Sequence, residues 1–286
     1  MKHNHPSTQV VRAANRGFFT AWVLVLCWFI PTHTPAADER AAVSTINHAF
    51  ATELGTGFYD IGGRSVFLVS FAPSVDLRAA DTARPGVRLV IPMSAGSFDF
   101  VPDDAIGGDF PDRIDSFSIA PGFEFDMPLR RDWILTPWAR AGMSFAGSSS
   151  DGVVWGTGLR LNRDLDRGGL AITERHEAGL VTVNYRNLPD DRFLRLRNAV
   201  DLQYPTVPLG RRHRLLLGLY AIFDVVPDPP AAPAGVKPSV LQFEAGLTFN
   251  GKPRPRLGPM NWPRLGIGYR FAGEFSGWHI VLGAPF

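Results

Sequence analysis

Of 286 residues, 29 are basic and 27 acidic, yet three of the basic ones (Lys2, Arg12, Arg16) and no acid fall in the first 37 positions. The other 249 residues therefore carry 26 basic and 27 acidic side chains, which excludes the basic footprint of a nucleic-acid partner. Cys27, the one cysteine, lies in the same leader, so the remainder has no disulfide and no thiol chemistry.

Lys2, Arg12 and Arg16 stand ahead of an apolar run over 17–30, which is followed by a small-residue stretch ending at Ala36 and Ala37. This order predicts a secretory signal peptide over 1–37. The run is shorter than the ~20 residues a spanning helix needs. Leu26, before Cys27, is too large for a lipoprotein signal. Next, Val43, Ile46, Phe50 and Leu54 recur at helical spacing, and Asp38 is a candidate cap, so 38–54 is predicted as a short amphipathic helix.

After 55–57 the period becomes alternating and stays so to the end. Twelve strands are predicted: 64–71, 86–93, 116–126, 133–145, 152–162, 169–176, 179–187, 192–204, 213–225, 239–249, 263–272 and 276–286. Turn chemistry fills 148–152, 188–191 and the proline-rich 227–238. Longer connections are expected over 72–85, 94–115 and 226–238. An even strand number puts both chain ends on one side, but these connections do not all fall on alternate turns. Either one strand is misplaced or the loops depart from the usual asymmetry.

Alternation separates two faces. Phe117, Ile119, Phe123 and Phe125 oppose Ser118, Gly122, Glu124 and Asp126, and Leu241, Phe243, Leu247 and Phe249 oppose Gln242, Glu244, Gly246 and Thr248. A soluble sandwich shows the same period with its apolar face inward. Ten glycines (122, 142, 156, 158, 218, 246, 266, 268, 277 and 283) are assigned to the polar face, where they relieve crowding on the concave side of a curved sheet and leave room for large lumen residues. That placement favours a barrel with its polar face inward. Trp133, Trp155, Tyr204, Trp262 and Trp278, near strand ends, fit an aromatic girdle.

The polar face carries Arg88, Glu124, Asp126, Arg140, Arg160, Arg195, Arg197, Asp201, Glu244 and Arg270. Charges of both signs in a narrow interior need partners, so a lumen network is expected, centred on Arg88, Glu124, Asp126, Arg140, Arg160, Glu244 and Arg270. Its role is either structural or a pore lining. No histidine has metal-ligand spacing and no Gly-x-Ser-x-Gly elbow occurs, so neither a metal nor a cofactor is expected. His176 with Glu174 or Glu177 is the best catalytic grouping. The acidic stretch Asp99, Asp103, Asp104, Asp109, Asp112 and Asp115 lacks the regular spacing of a calcium loop.

In the final strand, Trp278, Ile280, Leu282, Ala284 and Phe286 are expected on the outer face. A chain ending on such a strand with a terminal Phe resembles bacterial outer-membrane β-barrel proteins. With its short helix and about twelve strands it resembles the translocator unit of autotransporters, in particular the solitary autotransporter-like barrels that lack a passenger. The resemblance rests on architecture over 38–286 and carries no functional residues across. It implies an all-β fold: a transmembrane antiparallel β-barrel with a signal peptide (1–37), an N-terminal helical segment (38–60) in or under the lumen, and a barrel over 61–286. It also implies residence in the outer membrane of a Gram-negative bacterium, beside outer-membrane lipids and lipopolysaccharide. Trp278, Ile280, Leu282 and Phe286 would then be the signal read by the barrel assembly machinery. The expected function is non-enzymatic, structural or a narrow pore. The alternative is a barrel enzyme that modifies lipid or lipopolysaccharide.

Overall fold

The computed structural model describes residues 53–286 except 62–63, 82–83, 99–115, 131, 146–150, 187–189, 210–212, 230–238, 253–255, 258–259, 262–263 and 274. The predicted signal peptide, most of the predicted helix, the acidic stretch and Trp262 lie outside the described residues. Of the helix, Glu53 and Leu54 are described, and both are helical.

Twelve antiparallel staves follow. They are β1 (Gly57–Ile61), β2 with β3 (Arg64–Phe71, Ser74–Arg78), β4 with β5 (Gly86–Val90, Met93–Phe98), β6 with β7 (Ser116–Ile119, Gly122–Arg130), β8 (Trp133–Phe145), β9 (Gly152–Arg167), β10 (Leu170–Tyr185), β11 (Asp191–Leu209), β12 (His213–Val225), β13 (Leu241–Lys252), β16 (Leu265–Ala272) and β17 (Phe275–Leu282). A two-stranded hairpin, β14 (Arg256–Leu257) and β15 (Met260–Asn261), sits in the connection between β13 and β16. Pairing of β1 with β17, Gly57 opposite His279 and Ile61 opposite Phe275, closes the barrel. Followed strand to strand around the barrel, the register returns displaced by about 14 residues, which for twelve strands goes with a tilt of about 40°.

Three staves are interrupted at Pro73, Pro92 and Pro121, which cannot donate to a ladder. Each proline carbonyl still accepts from the neighbouring strand: from Ile91 N (2.9 Å), Ala120 N (2.9 Å) and Ala141 N (3.0 Å). The expected connections 72–85 and 94–115 are therefore shorter than predicted, because Ser74–Arg78 and Met93–Phe98 are strand.

Two further expectations are corrected. The predicted strands 169–176 and 179–187 are one continuous β10, in which Gly179 pairs with Gly158 and Arg195 in mid-sheet. Conversely, Gly57–Ile61 is a strand where the end of the N-terminal helical segment (38–60) was expected, so the barrel begins ahead of residue 61. The two errors offset, leaving the count at twelve. With strands in their proper places, the strand ends flanking 99–115 and 226–240 both lie at the end of the barrel opposite Gly57 and Leu282. The irregular loop pattern thus came from a misplaced strand.

Burial is inverted relative to a soluble domain. Phe117, Phe123, Phe125, Leu217, Leu219, Phe243, Leu247, Phe249, Ile267, Phe271, Trp278, Ile280 and Leu282 are exposed on the outside. Glu124, Glu177, Arg195, Asp201, Asp224, Gln242, Glu244, Thr248 and Arg270 are buried inside. A continuous apolar exterior around a charged interior is the pattern of a barrel solvated by lipid. Inside the barrel, an apolar cluster includes Leu54, Tyr59, Val66, Leu68, Trp138, Val183, Phe193 and Phe275.

Candidate functional site: the barrel lumen

The helix end enters the lumen through a tight reversal. Gly55 takes φ +86°, a left-handed conformation that suits glycine at a helix terminus, and turns the chain into β1. Tyr59 fixes the reversal by donating its hydroxyl to the Leu54 carbonyl at 2.7 Å. Thr56 extends the ladder by side chain, its Oγ1 donating to Ser70 O (2.9 Å) and accepting from Ser70 N (2.8 Å). Leu54 joins the apolar cluster, and Glu53 accepts from both Arg140 on β8 and Arg195 on β11.

From Glu53 the ion pairs run across the lumen. Arg195 also meets Glu177 (2.9 Å), Glu177 meets Arg160 (2.8 Å), Arg160 meets Glu124 (2.9 Å), and Glu124 meets Arg88 (3.1 Å). Arg88 ends the chain on Asp126 (2.9 Å) and Asp76 (2.9 Å), and Asp126 also accepts from Thr136 (2.8 Å). One connected path thus joins β3, β4, β7, β9, β10, β11, β8 and the helix end. A second cluster holds Arg197 and Arg270 around Asp224, at 2.7 and 3.7 Å, while Glu244 accepts from Arg270 (2.8 Å) and Tyr220 (2.8 Å). His279 Nδ1 lies 2.6 Å from the same carboxylate. A third cluster, near the chain ends, sets Arg264 on Asp201 (2.5 Å) and Thr248.

Of the seven residues expected to form the network, Arg88, Glu124, Asp126, Arg140 and Arg160 share the first path, and Glu244 and Arg270 share the second cluster. Glu53, Asp76, Glu177 and Arg264 complete these clusters and were not expected there, whereas Asp224 falls on the polar face of its strand by alternation. Such pairs add little net stability over an apolar core, but breaking one strands its partner charge.

Glycines on the inner face make room for large side chains. A Cβ at Gly158 would stand 2.6 Å from Trp138 Cζ2, and one at Gly179 would stand 2.9 Å from the same atom. A Cβ at Gly246 would stand 2.6 Å from Tyr220 Cε1. Gly283 differs: it lies beyond β17, at φ +112° with open space around it, so it is no inner-face strand glycine.

That bend changes the fate of the terminus. Trp278, Ile280 and Leu282 face outward, but the strand stops at Leu282. Phe286 packs inward against Ala199, Tyr220, Ile222 and Val281, with the Arg175 guanidinium 5.3 Å over its ring. The expectation that Phe286 continues the outer face is corrected, because the turn at Gly283 ends the alternation.

The His176 grouping does not assemble. His176 Nδ1 lies 2.8 Å from Asn198 Oδ1, and its ring stacks on Trp133 at 6.4 Å. Glu177 lies on the opposite side of the barrel wall, paired with Arg160 and Arg195. Glu174 pairs with Arg163 at 3.4 Å. Among the described residues no cluster of His, Cys, Asp and Glu has metal-holding geometry.

No family model matches the chain, and no curated protein matches it in sequence. Among solved structures it is similar to the β domain of the Bordetella autotransporter BrkA, with 10% identity and a TM-score of 0.47, covering 79% of this chain and 94% of that one.

Proposed function

We propose that this chain is an integral outer-membrane β-barrel of translocator type, with a non-enzymatic role as a structural barrel or narrow pore. Its own N-terminal segment and an ion-pair network obstruct the lumen. The observation that carries the reading is the position of Glu53: the helix end is held at mid-lumen by arginines from β8 and β11, inside a barrel whose outer surface is apolar. A charged network that crosses the interior narrows any water path, and an apolar exterior suits lipid.

Single-channel recording in planar bilayers tests this. The intact protein is expected to give at most small, brief conductance, and deletion of 38–54 is expected to raise it. A large, steady conductance from the intact protein would overturn the obstructed lumen. Heat-modifiable migration on unboiled gels tests the barrel in the membrane, since a detergent-resistant closed sheet migrates anomalously.

A further inference from the structure

Among the described residues the network leaves one lumen cation without a carboxylate partner. Arg140, Arg160, Arg195 and Arg197 each reach a carboxylate. Arg175, on the inner face of β10, instead donates Nε to the neutral Asn162 oxygen at 2.9 Å and lies over the Phe286 ring. Among the described residues it has no carboxylate partner. Arg175 borders a cavity of about 140 Å³ whose walls include Trp138, Arg140 and Glu53. Two more donors on those walls have no acceptor: Nε1 of Trp138, a side chain only 7% exposed, and Nε of Arg140. Arg140 and Trp138 lie against each other, the guanidinium carbon 5.0 Å from the ring centre.

A half-buried guanidinium without a carboxylate partner is costly, and so is each buried N–H without an acceptor. An anion in the shared cavity supplies the missing charge and an acceptor to donors on its walls. The carboxylates of Glu53, Glu124 and Glu177 are already engaged by arginines, so they supply none of it.

We propose that this cavity binds a small inorganic anion, with Arg175 as its counter-charge and Trp138 Nε1 and Arg140 Nε donating to it. Guanidinium offers a planar fork for oxyanions, while single N–H donors serve a halide equally well. At about 10–15 Å³ for each water-sized probe, the volume holds a phosphate-sized anion with water.

The test uses the full chain folded in detergent micelles, with phosphate, bromide or gluconate at matched ionic strength. Phosphate or bromide should raise the wild-type thermal midpoint by several degrees in a saturable way, as a ligand that binds only the folded state does. Arg175→Gln should weaken the apparent affinity at least tenfold. Trp138→Phe keeps a ring over Gly158 but loses the donor, and should weaken it severalfold. Because Arg175→Gln removes an unpaired charge, its midpoint in gluconate should match or exceed that of the wild type, so loss of the anion effect cannot be blamed on misfolding. A response to bromide alone identifies a halide site, and a response to phosphate alone an oxyanion site. Equal midpoint shifts in wild type and Arg175→Gln, or no shift relative to gluconate, overturn the proposal.

Discussion

Replacing Glu53 by glutamine removes the charge shared by Arg140 and Arg195 while nearly preserving side-chain size. The two arginines are affected unequally. Arg195 keeps Glu177 at 2.9 Å, whereas Arg140 loses its only carboxylate among the described residues. Removing one partner of a buried pair costs ~3–5 kcal/mol. Here the lower end applies, because Arg195 keeps a second carboxylate in Glu177 and only Arg140 is stranded. A loss of about 3 kcal/mol at unchanged m corresponds to a urea midpoint lowered by about 1–3 M. Equilibrium unfolding of the barrel in micelles or vesicles, followed by tryptophan fluorescence, reads this directly. A change below about 0.5 kcal/mol, typical of a surface substitution, would refute the claim that this pair anchors the helix end.

Leu247→Arg places a charge on the outer face of β13 and should destabilise the membrane-inserted barrel by about 2–4 kcal/mol at mid-bilayer depth, measured by unfolding from vesicles. Gly158→Val drives a side chain into the Trp138 ring and should cost about 1–3 kcal/mol, with a changed near-ultraviolet dichroism of the indole. His279→Ala removes the contact with Glu244 at 2.6 Å and should cost about 1–2 kcal/mol without blocking assembly, whereas charged residues at Ile280 and Leu282 should block it. Recovery of the folded species from outer-membrane fractions distinguishes the two outcomes.

The faces of the strands were legible because side-chain alternation needs no long-range information: Phe123 and Phe125 lie outside and Glu124 inside, as their spacing requires. Strand ends were less legible where glycine and proline serve a tertiary purpose. Strands 169–176 and 179–187 were predicted apart, yet they are one strand running through Gly179, where Trp138 occupies the space of a side chain. Pro73 stood outside the predicted strand 64–71, whereas 86–93 and 116–126 were predicted straight through Pro92 and Pro121; each proline interrupts a stave that resumes in register on the other side. The five-residue β1, which follows Gly55 closely, gives too short a period to detect. Within the site, residues on clearly alternating strands were found. Glu53, 142 positions from Arg195, carries no local sign of its partner. Glu177 was hidden because it fell in the false break at 177–178, which severed its alternation with Arg175. Phe286 was misplaced because a backbone turn at Gly283 leaves no mark in an alternating pattern.

The central claim is that lipid lies against the apolar face and the charged face lines an obstructed lumen. Spin labels on single-cysteine variants along β13, in a chain without Cys27, test it most directly through oxygen accessibility in vesicles. Labels at 243, 245 and 247 should be accessible to lipid-dissolved oxygen, and labels at 242, 246 and 248 shielded from it. The opposite alternation, or none, would contradict the account.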